Sequence, residues 1–178
     1  MKKTNNLIFY FLLVIAWIIF VGLGIEAGGL AVNFVFSLVN PEVLPKLYQK
    51  LDLLPMLHRS QWAFYGMYSF ILAIALLKAI MFYTVIMLMH RMNLEKPFSS
   101  FVSNQISRIS YFTFSIGLLS YIASGTARNL QKRGYDVDAL GQFWVDSEAY
   151  ILMAAIIYII AVIFAKGIEI QQDNELTI

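Results

Sequence analysis

The sequence contains no cysteine and only two histidines. The first absence excludes disulfides, thiolate nucleophiles and cysteine-ligated metals. The second leaves His58 and His90 at opposite ends of one apolar run, too far apart to share an ion. Charge is scarce too. Asp, Glu, Lys and Arg make up 13% of the 178 residues, against about 25% in soluble domains. The net charge of +2 is too small for nucleic-acid binding by the chain itself. Also missing are a His-Glu-x-x-His helix, a phosphate-cradling glycine loop and a serine nucleophile elbow. Asp136-x-Asp138 and Asp146-x-Glu148 could touch a cation, yet carboxylate pairs in loops are ordinarily solvated. The sequence therefore points away from an enzyme, and no catalytic residue, metal ligand or cofactor is expected.

Apolar residues supply 60% of the chain, and they are segregated into long runs. A helix needs about 20 apolar residues to cross a hydrocarbon core of about 30 Å. Leu7 to Ile25 carries no charge, and Trp62 to Met89 is interrupted only by Lys78. Ile109 to Ser124 is short by itself, and Ala149 to Phe164 stops at Lys166. Backbone groups in lipid must bond within their own segment, so helices are the expected form. These runs predict an all-α fold, an integral membrane four-helix bundle with short interfacial amphipathic helices. One membrane domain, 1–178, is expected, with spans near 7–28, 65–89, 105–124 and 148–166. Outer segments then cover 40–61 and 125–147, an inner loop 90–104 and an inner tail 167–178.

Lys2 and Lys3 before an apolar run, with Ala27-Gly28-Gly29 behind it, also fit a signal peptide. The apolar region of a signal peptide is about 7–15 residues, and this run is longer, which favours a retained span. Apolar character continues past Glu26 to Val39, and a straight helix from Leu7 to Val39 would be about 50 Å long. Such a helix must tilt, project or break. Gly22, Gly24, Gly28 and Gly29 are the expected place for a bend or for close helix contact. Gly24-x-x-x-Gly28 is a small-residue contact motif suited to packing inside the bundle or to a homo-oligomer.

With four spans, both termini share one side. Lys2, Lys3, Arg91, Lys96, Arg108 and Lys166 then face Lys46, Lys50, Arg59, Arg128, Lys132 and Arg133, a tie. Basic residues beside the first span carry most weight, so Lys2 and Lys3 place the termini in the cytoplasm. Trp62 and Trp144 are then expected at the outer interface.

Between spans the pattern is amphipathic. Leu47, Tyr48, Leu51 and Leu54 recur at helical spacing between Pro45, which can open a helix, and Pro55, which is expected to end it. Pro97 opens a stretch in which Phe98, Phe101, Val102, Ile106 and Ile109 share a face. It reads as an interfacial helix leading into the third span, or as a docking surface. Val137, Leu140, Phe143 and Trp144 suggest another short helix.

Lys78 is the outlier. It lies about 16 Å along its helix from Met89, beyond easy snorkelling. An ionisable residue inside a span normally faces protein and is a functional candidate. Glu26 is the one acidic residue adjoining an apolar span core. Helical side chains lean toward their own N-terminus, so the two lean toward each other. A Glu26–Lys78 contact, direct or through water, is expected, either as a register-fixing pair or as part of an ion or proton path.

The last span closes as Phe164-Ala165-Lys166-Gly167-Ile168-Glu169-Ile170-Gln171-Gln172-Asp173-Asn174-Glu175-Leu176-Thr177-Ile178. This ending resembles that of an uncharacterised bacterial family, domain of unknown function 2975. Lys96-Pro97-Phe98-Ser99 and Ile106-Ser107-Arg108-Ile109 resemble its central loop, and the four-span layout is similar along nearly the whole chain. Gln171 and Gln172 depart from the acidic character expected there. The resemblance implies a multi-pass protein of the bacterial cytoplasmic membrane with no assigned catalytic residue. It also implies a small helix-turn-helix regulator as partner, since such regulators are often encoded beside family members. Pro97, Phe98, Phe101, Arg108, Gly167, Gln171 and Leu176 are then the docking candidates. The alternative is a small transporter or channel subunit that uses Lys78 and Glu26.

Overall fold

Each apolar run folds as one helix, because a backbone N–H or C=O surrounded by lipid finds a partner only in its own segment. The computed structural model describes residues 2–40, 42, 53–94, 97–144 and 146–175. The elements are α1 (Lys2–Val39), α2 (Leu54–Arg59), α3 (Gln61–Arg91), α4 (Ser100–Lys132), a 3-10 helix (Asp138–Phe143) and α5 (Ser147–Glu175). The four long helices are long and apolar enough to cross a membrane. Together they make an all-α, four-helix membrane protein. Among the described residues there is no strand.

The long helices extend beyond the expected spans. α1 continues through its glycines as one helix of 38 residues, about 57 Å at 1.5 Å per residue. A Cβ built on Gly22, Gly24 or Gly28 would meet nothing within 4 Å, so Gly24-x-x-x-Gly28 is not packed inside the bundle. The amphipathic stretch after Pro97 and the third span are one helix. Ser99 caps it, its hydroxyl accepting from the Val102 amide at 3.3 Å. Ser60 caps α3 in the same way through the Ala63 amide. Pro55 lies in the first turn of α2, so it opens a helix rather than only closing one. Its missing N–H costs nothing there, because first-turn amides lack helical partners in any case. The surface helix expected around Leu47, Tyr48 and Leu51 lies outside the described residues.

Successive long helices are antiparallel. Trp17 meets His90 and Phe34 meets Tyr65 between α1 and α3. The tightest pairing is α4 with α5, and its cause is a seam of small residues seven apart. Ser103 donates to the Ala161 carbonyl at 3.3 Å, and Ser110 donates to the Ala154 carbonyl at 2.9 Å. Gly117 completes the seam, since a Cβ there would lie 2.8 Å from Ile151 Cγ1 and 3.0 Å from the Ser147 carbonyl. Small side chains let membrane helices approach closely, and a heptad repeat keeps the contact on one face.

Helices approach one another in chain order: α1 with α3, α3 with α4, α4 with α5. No Cα of α1 comes within 8 Å of a Cα of α5 among the described residues, so the bundle is open on that side. Its two ends differ. The capped end holds one contiguous apolar core: Ala27 and Leu30 from α1, Phe64 to Ala75 from α3, Ile116 to Ala127 from α4, and the small elements above. Tyr68 is fully buried there and donates to the Leu30 carbonyl at 2.9 Å. Val137, Leu140, Phe143 and Trp144 fold down onto this core, as their spacing predicts. Trp144 is only 8% exposed, so it belongs to the core and not to an interfacial belt. Trp62 is 90% exposed and free to occupy that belt.

Candidate functional site

The end that carries both chain termini gathers the residues singled out in the central loop and the tail. The α4–α5 seam fixes the α5 backbone against the start of α4, and the loop before Ser100 then lies beside α5. Phe98 projects from that loop onto α5. Its ring sits 5.2 Å, centroid to centroid, from that of Phe164. One edge of it also lies against Gly167, where an added Cβ would fall 2.7 Å from two ring carbons. Glycine at 167 is thus the condition for this contact, and the loop and the tail form one surface. Phe98 remains 42% exposed and Ile170, one turn beyond Gly167, is 61% exposed. The surface is therefore apolar and open.

Its rim is basic. Arg91, at the last turn of α3, places its guanidinium 5.6 Å from the centre of the Phe101 ring. This cation–π contact ties α3 to the start of α4. Arg108 is exposed on α4, and Lys166 is ion-paired with Glu169 on the exposed side of α5. Pro97 and Gln171 are half-buried. The structure thus joins Phe98 to Gly167 and Phe101 to Arg91. It leaves Arg108 away from these contacts, and Leu176 lies outside the described residues. Such a surface can bind a partner. Among the described residues no group of three His, Asp or Glu side chains converges to hold a metal.

Glu26 and Lys78 are both half-buried. Both fall between the Phe20–Tyr83 contact and the Tyr68–Leu30 hydrogen bond, so they share one depth. Neither makes a hydrogen bond or ion pair with a described residue, so the expected direct contact is not formed. Their position is informative. The fully buried residues of the apolar core end at Ala27 on α1, Ala75 on α3 and Ile116 on α4, while half-buried Leu77 and Met81 extend it along α3. Glu26, Lys78 and Thr113 come next on those three helices, in the direction of the termini. Below them the interior is mixed, with Thr84, Ser103, Gln105, Ser110 and Thr113 buried beside Ile86, Val102 and Ile109. The hydroxyls donate to backbone carbonyls, for example Thr84 to Ile80 and Thr113 to Ile109. Gln105 Oε1 has no hydrogen-bond partner among the described residues.

One structural residue had no signal in the sequence. Arg59, exposed at the end of α2, donates to the Gly134 carbonyl at 2.5 Å and the Arg133 carbonyl at 2.8 Å. It also stacks 4.2 Å over the Tyr135 ring. A cation on the carbonyls just past the end of α4 is favoured by the helix dipole. Gly134 takes φ +78, the left-handed turn that ends a helix. The small-residue seam, by contrast, could have been found from its seven-residue spacing.

Comparison of the chain with family models, curated proteins and solved structures finds no match.

Proposed function

We propose that the chain is a multi-pass protein of a bacterial cytoplasmic membrane whose terminal end faces the cytoplasm and holds a partner protein. The partner of choice is a small helix-turn-helix regulator, in line with the resemblance to domain of unknown function 2975. The observation that carries this reading is the seating of Phe98 on Gly167 and Phe164, which merges loop and tail into one exposed apolar surface. Exposed aromatic side chains suit a protein partner whose own face is apolar. Held there, a regulator is kept at the membrane and away from DNA. The test is affinity purification from native membranes. The full chain is expected to bring down the regulator. A chain ending before Gly167, and Phe98→Ala in the full chain, are expected to insert normally and to lose it. Undiminished capture by both variants would falsify the proposal.

A second reading, a small transporter or channel subunit, is favoured by the entry of Glu26 and Lys78 where the fully buried part of the apolar core stops. It predicts that Glu26→Gln and Lys78→Met change ion flux in liposomes while the protein stays folded. Equal flux for parent and variants across a broad panel of ions would count against it.

A further inference from the structure

Two opposite charges stand at one depth of a membrane protein, half-buried, and neither has a partner among the described residues. An unpaired charge at that depth is unfavourable, and such residues as a rule find a counter-charge, a carbonyl or water. The bundle is open beside them, because α1 and α5 do not approach each other. α1 is also the least protected span. Among its described side chains it buries only Ala16, Ala27, Leu30, Asn33 and Ser37. Glu26 stands one turn before Leu30 and two before Asn33, on the same flank. Lys78 continues the inward stripe of Ile71 and Ala75 at the same helical spacing.

We propose that a second copy of this chain closes the open side of the bundle and pairs Glu26 of each copy with Lys78 of the other. The argument is charge complementarity combined with symmetry. A two-fold axis along the membrane normal preserves depth, so a residue can meet only groups at its own level in the other copy. Glu26 and Lys78 share a level, and the axis therefore forms the pair twice. Lipid can cover the apolar flank of α1 but offers no fixed counter-charges at mid-depth. Gly22, one turn from Glu26 on the same flank, has open space around it and lets another helix come close.

The chain's lack of cysteine and the opposite signs of the two groups make the test direct. Two differently tagged copies are co-expressed, one carrying Glu26→Lys and the other Lys78→Glu. Each alone sets like charges against each other across the interface, so its self-association is expected to fall about tenfold or more. Together they restore both pairs, and each tag is expected to recover the other. As a milder pair of variants, Gly22→Cys in one copy and Phe82→Cys in the other, at nearly the same level, should form a disulfide carrying both tags. Inserted copies that neither co-purify nor cross-link overturn the proposal. So does a monomeric chain in which Glu26→Lys is rescued by Lys78→Glu within the same molecule, since the pair would then be internal. This dimer does not depend on the docking function, because regulator capture and tag-to-tag recovery are separate readouts.

Discussion

The capped half and the terminal half of the bundle are made from the same helices and differ in what they bury. The capped half encloses large apolar side chains, with Phe64, Tyr68 and Ile71 fully buried among them. The terminal half encloses hydroxyls, an amide and small residues, with Ile86, Val102 and Ile109 among them. A membrane gives no hydrophobic drive for one helix to leave lipid for another, so each half needs another source of attraction. The capped half uses dense packing of large side chains and the elements folded over its end. The terminal half uses close backbone approach and hydroxyl-to-carbonyl bonds. The terminal arrangement leaves, among the described residues, an orphan acceptor at Gln105 Oε1 and two unpaired charges at its boundary.

The comparison breaks if large-to-small substitution is tolerated in the capped half. Phe64→Ala removes a fully buried ring from the centre of that core. Its expected cost is about 3 kcal/mol, the lower part of the range for a buried Phe, because lipid as reference removes part of the transfer free energy. Thermal unfolding in detergent measures it. A loss below about 1 kcal/mol would mean that this core is loosely packed.

The next effect tests the seam. Gly117→Ala places a methyl group 2.8 Å from Ile151 Cγ1 and 3.0 Å from two backbone atoms of α5, which cannot rotate away. Forcing the helices apart is expected to cost about 1–3 kcal/mol. Gly66→Ala makes the control, since open space surrounds that position. It should be neutral or raise stability by up to about 1 kcal/mol through helix propensity. Equal behaviour of the two glycine variants in the same unfolding assay would dissolve the distinction between seam and free flank.

The sequence reveals these halves unevenly. Span number follows from the length of each apolar run, which depends on nothing distant. The packing of Val137, Leu140, Phe143 and Trp144 follows from local periodicity for the same reason. Trp144 misled because an interfacial belt and a core edge both favour an amphipathic ring, and only the fold over the bundle end decides. Pro55 misled because a missing N–H suits the first turn of one helix as well as the end of another. The seam has legible spacing, yet which small residues meet depends on helix register. The Arg59 clamp joins positions 75 apart and leaves no local trace. Of the docking surface, the separate segments were visible, but the seating of Phe98 on Gly167 required the structure. Glu26 and Lys78 were identifiable as misplaced charges, and their lack of a partner among the described residues was not.

A smaller effect concerns the cap. Arg59→Ala removes two charge-assisted bonds to the end of α4 and the stack on Tyr135. The site is exposed, so the expected cost is about 1 kcal/mol. Arg59→Lys should recover little of it, because an ammonium cannot bridge two carbonyls while lying over a ring. Hydrogen exchange of the amides around 133–137 reads this locally. Full protection in Arg59→Lys would show that charge alone at the helix end suffices.

The smallest effect isolates the terminal half. Ser110→Ala deletes a buried 2.9 Å bond to the Ala154 carbonyl but keeps the small size that the seam needs. That carbonyl already belongs to a helix, and membrane hydrogen bonds of this kind average about 0.6 kcal/mol, so the loss should be of that order. Ser103→Ala, with its longer 3.3 Å bond, should cost less. Ser110→Leu separates the two sources of attraction, since it removes the bond and also wedges the backbones apart. If Ser110→Ala costs as much as Ser110→Leu, hydrogen bonding holds α4 to α5. If it costs far less, close approach does, and the serines are there chiefly because they are small.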